Sequence, residues 1–292
     1  MNNKWYRNLL CCPLCRNNLD IGETVECNKC GFHNTSVDDL RPNKPRHYSL
    51  NLPSIHTDSL TDLLNRIDIS CPDMIYKGPN ALRDSRQLMS EIAYRVPLGG
   101  YVLDLGCGPR DQFDPLNYLG FRYVGIDYTN QAADLLADIH AIPFHNDSFD
   151  CIFSYAVLEH LYNPFIVINE IARVLKPNGW FIGTVSQGEP FHNSYFHLTP
   201  WGLLSLINTT QDLKLVRLWG SSDTLQSLAS MGRYSRVIKA LLWGLNLANI
   251  WLPWLTPRKM FWPEREKRLD CLYRAGSICF SIQKSVSSKT QK

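Results

Sequence analysis

Apolar residues come in short bursts through the middle of the chain, and the bursts alternate with stretches of helical spacing. Runs at 101–105, 123–127 and 151–156 are compact, and each predicts a buried strand. A weaker run at 135–140 predicts another, and 180–185, 214–219 and 277–283 complete the set. Between them, residues 80–95 place Met89, Ile92 and Ala93 at helical spacing, with a stop at Pro97, Gly99 and Gly100. Asn163 can cap a helix that has Pro164 at its first position and Phe165, Ile168, Ala172 and Leu175 on one face. The segment "KPNGW" ends that helix, and 199–207 is a shorter helix with Pro200 near its start. Strands alternating with helices predict a parallel sheet with right-handed crossovers. Seven residues, 128–134, separate the second and third strands, so that crossover is short or irregular.

The interval 221–276 is too long for a hairpin. Its centre, "SRVIKALLWGLNLANIWLPWL", leaves a narrow polar stripe of Ser235, Lys239, Asn246 and Asn249. Lys239, Asn246, Asn249 and Pro253 make it a poor membrane span. Arg233, Arg236, Arg258 and Lys259 flank it, and Trp243, Trp251, Trp254 and Trp262 lie within or beside it. Two readings stay open for 237–255: a lid packed over the sheet, or a helix lying on a membrane surface.

Composition narrows the class. A chain of 292 residues with 45% apolar and 20% charged residues is globular, with room for one sizeable domain and additions. A net charge of +3 is too small to favour a dedicated nucleic-acid binder. The polar opening Met1 to Tyr6, with no long apolar run after it, gives no secretory signal. A cytoplasmic location is therefore expected, with membrane association through 237–255 as an addition, and the ten cysteines are expected as thiols or metal ligands.

Five of those cysteines fall in the first thirty residues. Cys12 with Cys15 and Cys27 with Cys30 form two C-x-x-C knuckles separated by eleven residues. Two such pairs close a tetrahedral shell with no room for water, so a structural zinc site in a ribbon over 1–40 is expected. Redox chemistry would need one knuckle only. Cys11 is an alternative to Cys12, but the spacing favours Cys12, and His33 is expected on the surface. Cys71, Cys107, Cys151, Cys271 and Cys279 are expected to pack as small apolar residues. Residues 41–78 read as a linker with one short helix at 60–67.

The stretch "DLGCG" (104–108) ends the first strand, where open parallel sheets bind ligands. Gly106 and Gly108 match the start of a dinucleotide fingerprint, but its third glycine is replaced by Asp111, which would repel a pyrophosphate. Asp127 and Asp138 end the next two strands. The order "VLDLGCG", "VGID", "ADIHAIPFHNDSFD", "YAVLEHL" and "EIARVLKPNGW" resembles the class I S-adenosylmethionine-dependent methyltransferases, within them the ubiquinone/menaquinone type, over about 95 to 185. The resemblance implies a Rossmann-like α/β fold of seven strands over 79–292, with a helical insert before the last strand. It also implies that Gly106 and Gly108 pass close to the methionine part of the cofactor, with Asp104 ordering the loop. Asp127 would hold the ribose hydroxyls, Asp138 the adenine amino group, and Ile139 the ring. Ser154 and Tyr155 would border the methionine end. The family usually carries a helix where 128–134 lies, and this chain departs from it there. The cysteine block looks like zinc ribbons found in some methyltransferases and their activators.

Methyl transfer needs alignment first, and a hydroxyl or carbon acceptor also needs a base. His160, His192 and His197 are the candidate bases: the resemblance implies that His160 borders the active site, and His192 or His197, which flank "NSYF" after the fifth strand, is the expected acceptor-side residue. The expected acceptor is a small molecule, lipid-linked or glycan, apolar or bulky given the 237–255 segment. A ribosomal-RNA base methyltransferase is the alternative, since some of those also carry an N-terminal cysteine module; the small basic excess weighs against it. A non-catalytic binding module is a third reading, against which the intact cofactor acids stand.

Overall fold

The computed structural model describes residues 4–42, 64, 66–79, 83–189, 193–221, 227–229, 234–251, 272 and 275–285. Its centre is a seven-stranded sheet: β4 (Tyr101–Leu105), β5 (Arg122–Asp127), β6 (Leu135–Leu136), β7 (Phe149–Tyr155), β8 (Leu175–Ser186), β9 (Leu213–Gly220) and β10 (Ser277–Lys284). Three short strands precede it, β1 (Asp20–Ile21), β2 (Val25–Glu26) and β3 (His33–Asn34), which form an antiparallel sheet around the cysteine knuckles. The spatial order of the large sheet is β6-β5-β4-β7-β8-β10-β9. The helices are α1 (Arg83–Arg95), α2 (Phe113–Tyr118), α3 (Pro164–Val174), α4 (Pro200–Ile207) and α5 (Arg236–Trp251).

Several local expectations hold for the reasons given. The Asn163 side chain accepts the Ile166 N–H at the start of α3, with Pro164 next in line. Thr199 caps α4 in the same way through Gly202. No helix forms in the short second crossover at 128–134.

Three expectations are corrected. The sheet is not wholly parallel, because β10 runs antiparallel to both β8 and β9. Its chain leaves β9 at Gly220 and re-enters beside it, with Ile278 opposite Gly220, so it never crosses to the far edge and has to run back. The run 135–140 is a strand only at Leu135–Leu136. Asp138 then turns the chain by accepting the His140 N–H, which caps a 3₁₀ turn at Ile139–Ala141. Cys71 is exposed, whereas Cys107, Cys151 and Cys279 are buried; Cys271 and most of the 60–67 helix lie outside the described residues. Helix α2, which the apolar pattern does not signal, fills the first crossover.

Two apolar layers sandwich the sheet. On one face α1 packs Leu88, Met89 and Ile92 against Phe153, Ile182 and Trp219. The other layer contains α3, α4 and the ribbon together: Cys12, Val25, Cys27 and Phe32 share a core with Ile126, Leu135, Phe144 and Ile168. The ribbon is therefore part of the sheet's own packing. Backbone bonds stitch it on: Leu40 N–H to Leu136 C=O and Leu136 N–H to Asp38 C=O, each 2.8 Å. Below them, Arg16 of the first knuckle reaches Glu170 of α3 at 2.7 Å, where Arg173 also binds. Glu170 is almost fully buried, so removing either guanidinium would leave a poorly compensated charge.

Candidate functional site

The carboxyl ends of β4, β5, β6 and β7 meet at a hollow of about 510 Å³, within the usual range for small-molecule sites. Gly106 turns the chain after β4 with φ +65°, and a side chain there would meet Val157 Cγ2 at 2.7 Å. Glycine is required on both counts. Gly108 also has positive φ, and its N–H donates to Asp127 Oδ2 at 3.0 Å. Asp127 thus ties the glycine loop to the end of β5. Its other oxygen accepts the N–H groups of Thr129 and Asn130, both at 2.9 Å. A carboxylate offers about four acceptor directions, so capacity for a ligand hydroxyl remains.

Of the residues predicted to hold a cofactor, Gly106, Asp127, Asp138 and Ile139 line this hollow. Asp138 Oδ1 accepts both the backbone N–H and the ring Nδ1 of His140, at 2.9 and 2.8 Å. Burial raises this carboxyl, but the two His140 bonds outweigh burial and hold it below the ordinary value. The His140 ring in turn stacks on Tyr162 at 4.0 Å.

Four predicted cofactor residues do not line it. Gly108 acts through its bond to Asp127. Asp104 stands behind the loop, buried, and accepts the Tyr123 hydroxyl at 2.9 Å. Burial pushes its carboxyl up to about 7, and the nearby Asp127, Asp111 and Asp134 add to the shift against the Tyr123 bond. Ser154 and Tyr155 are also displaced from the hollow, since Ser154 is fully buried opposite Leu105 and Gly183 in the sheet. Ala156 and Val157, directly after Tyr155, line the hollow instead. Ala156 has φ +55°, which swings the chain off the strand and brings Val157 against Gly106.

Among the histidines, His160 lines the hollow. Its Nδ1 donates to the Asn193 carbonyl at 2.6 Å, which leaves Nε2 as the basic nitrogen. His197 is exposed and does not line the hollow, and His192 lies outside the described residues. Glu159 holds this wall together. Its carboxylate accepts Ser186 N–H, and its carbonyl accepts Tyr195 and Phe196 N–H. Among the lining residues not singled out from the sequence are three tyrosines, Tyr128, Tyr162 and Tyr195, all more than half exposed on the rim. Tyr128 and Tyr162 directly follow or neighbour predicted positions, which is the only signal the sequence held for them.

The ribbon reaches the same rim. Arg41 donates to the Tyr128 carbonyl at 3.1 Å and lies 5.7 Å from that ring's centre, while Asp39 fixes the guanidinium from behind. The Tyr6 hydroxyl holds the Asp134 carbonyl at 2.9 Å. In effect the ribbon braces the crossover that has no helix of its own.

The cysteine knuckles are near copies. In each, the first cysteine's carbonyl accepts the N–H four residues on (Arg16, Gly31), and its N–H donates to the carbonyl five residues on (Asn17, Phe32). Arg16 and Gly31 both take positive φ. The sulfur atoms of Cys12, Cys15, Cys27 and Cys30 lie within 4.8 Å of one another. Sulfurs bound at about 2.3 Å to one tetrahedral zinc ion stand about 3.8 Å apart, so the set suits such an ion. Burial pushes the Cys12 thiol up; a metal cation reverses that sign because it binds the thiolate. His33 is exposed beside Glu26, and Cys11 is buried outside the cluster.

A methyltransferase-domain family model matches residues 103–183, the segment from the end of β4 through most of β8. A ubiquinone biosynthesis O-methyltransferase of Bradyrhizobium diazoefficiens is 31% identical over 101 residues, covering 29% of this chain and 40% of that protein. An uncharacterised protein of Methanocaldococcus jannaschii is 31% identical over 126 residues, covering 39% of this chain and 47% of its own length. The chain spans less than half the length of these curated relatives. Among solved structures, a putative sarcosine dimethylglycine methyltransferase from Galdieria sulphuraria is similar at 19% identity, covering 78% of this chain and 98% of that one, with a TM-score of 0.46.

Proposed function

We propose, from the premise that this chain carries a class I S-adenosylmethionine-dependent methyltransferase domain, that it methylates a small, apolar or bulky acceptor at the rim of the hollow. The observation that carries the reading is the convergence of Asp127, Asp138 and Ile139 with the side-chain-free bend at Gly106 on one cavity. When bound, S-adenosylmethionine supplies an electrophilic methyl group on a sulfonium. Asp127 accepts hydrogen bonds from the ribose hydroxyls, and Ile139 backs the adenine ring. Asp138, held in its charged form by His140, accepts from the adenine amino group. Gly106 lets the backbone approach without a side chain, and Val157 fills the space behind it. His160 Nε2 removes the proton of a hydroxyl acceptor; an amine or thiolate acceptor needs alignment alone. The four knuckle cysteines hold zinc in a closed structural shell, a reading supported by the sulfur geometry and the burial of Cys12 and Cys27.

Calorimetry with S-adenosylhomocysteine tests the site. Asp127→Ala should weaken binding by about thirtyfold, from the loss of charge-assisted bonds worth about 2 kcal/mol, while bound zinc stays at one per chain. Unchanged affinity would remove Asp127 from the site. Tight binding of ribosomal RNA that fades steeply with added salt would replace the small-molecule acceptor by a nucleic acid.

A further inference from the structure

Helix α5 carries an apolar surface that no described part of the fold covers. Val237, Leu241 and Leu245, four residues apart, are 70%, 62% and 59% exposed, and Ile238, Trp243 and Leu247 are also exposed. The spacing places the first three on one stripe with Ile238 beside it. Single exposed apolar residues are ordinary, but a contiguous strip of this kind marks a contact surface.

Charge decides what the surface fits. From 224 to 263 the sequence has Arg233, Arg236, Lys239, Arg258 and Lys259 and no Asp or Glu, whereas the whole chain is nearly balanced at 30 basic and 27 acidic residues. The same interval contains Trp243, Trp251, Trp254 and Trp262, half of the chain's eight. Indoles favour the headgroup boundary, and basic residues favour anionic lipid. Among the described residues no helix is long and apolar enough to cross a membrane, so the helix suits lying along a surface rather than passing through it.

Topology places this surface usefully. β9 ends at Gly220 opposite Ile278, and Ser277 lies opposite Ser186, so the insert leaves and rejoins the sheet at the edge where β4, β5 and β7 open into the hollow. The return limb is fastened there. The Gln187 side chain donates to the carbonyls of Leu272 and Ala275, and the N–H groups of Gln187 and Gly188 both reach Gly276.

We infer that α5 docks the protein on an anionic lipid bilayer, apolar stripe inward, with the edge of the sheet that holds the hollow facing the membrane. Docking is independent of methyl transfer, and S-adenosylhomocysteine binding reads the one while vesicle binding reads the other.

The test is co-sedimentation of the full chain with vesicles of phosphatidylcholine alone or doped with phosphatidylglycerol. The wild type should sediment with the anionic vesicles and be released by high salt. Leu241→Glu with Leu245→Glu should cut that binding by at least about tenfold, since two apolar anchors are lost, and should leave S-adenosylhomocysteine affinity unchanged. Arg236→Gln with Lys239→Gln should weaken the preference for anionic lipid, and an unchanged preference would also overturn the proposal. Failure of the wild type to bind anionic vesicles overturns the proposal. So does a Leu241→Glu, Leu245→Glu protein that still binds, or one whose only change is from dimer to monomer in light scattering, since the stripe would then face a second copy.

Discussion

The two edges of the large sheet are finished in opposite ways. At the β6 edge, a strand of two residues is covered at once: Asp38 to Leu40 pair with Leu136, the ribbon core continues under it, and Arg41 closes over Tyr128. At the β9 edge, residues around Asp68 pair with β9 through Leu218 and Val216, and in the insert beyond Gly220 helix α5 leaves Val237, Leu241 and Leu245 exposed. An unpaired strand edge invites association, and both edges are protected from it. What differs is the use of apolar surface. One side spends it on a rigid wall for the hollow, and the other leaves the α5 stripe exposed in the insert that follows β9.

The largest effect should come from the ribbon. Cys27→Ser, or chelation, should unfold the wall as well as the knuckles, because Cys12 and Cys27 pack in the same core as Ile126 and Leu135. A loss of several kcal/mol is expected from the binding energies typical of structural zinc. Thermal unfolding and S-adenosylhomocysteine binding should both collapse; a chelated protein that binds normally would show the two edges to be less different than described.

The pH response should separate the centre of the sheet from its β9 edge next. Asp104 is raised to about 7 by burial. Its contribution to stability is complete below the unfolded value of about 4 and is lost as pH rises through 7. Asp68, beside the β9 edge, is lowered: its burial is outweighed by bonds from Ser70 and Arg217. Its contribution is present above about 4 and is lost as pH falls below that, and its exposure keeps it small. Denaturant melts should therefore show stability falling between about pH 4 and 7, by on the order of 2 to 4 kcal/mol, and Asp104→Asn should flatten that slope. A slope unchanged in the variant would place its origin elsewhere.

A smaller effect tests the brace alone. Arg41→Ala should weaken S-adenosylhomocysteine binding roughly fivefold, for about 1 kcal/mol of hydrogen bonding and cation–π contact. Zinc content should be unaffected, and Arg41→Lys should restore part of the affinity; equal affinity in all three proteins would mean that Tyr128 holds its place unaided. Smallest of all, Leu241→Glu should shift folding stability by no more than about 0.5 kcal/mol, read in the same melts. A large loss would mean that α5 is packed as a lid.

Strands and capped helices were legible because their signals are local. Asn163 and Pro164 start a helix wherever they stand, and Asp104, Gly106 and Asp127 mark strand ends within a few residues of sequence. The side-chain assignments were less legible. Ser154 and Tyr155 precede a left-handed Ala156 that no residue type announces, and the hollow begins one residue later. The sequence favoured His192 or His197 on the acceptor side, yet of the described histidines at this wall it is His160 that lines the cavity, with its ring held on the Asn193 carbonyl.

The sequence by itself determined the metal-ligand spacing, the glycine bend, the order of acids along the strand ends and the basic, tryptophan-rich insert, since each depends on neighbours along the chain. Only the tertiary structure decided that the knuckles share a core with β5 and β6, that Arg41 braces a crossover without a helix, that β10 runs backward, and that no described residue covers the α5 stripe. Those four depend on contacts between residues tens to hundreds of positions apart, where packing of whole layers outweighs anything local preference can specify.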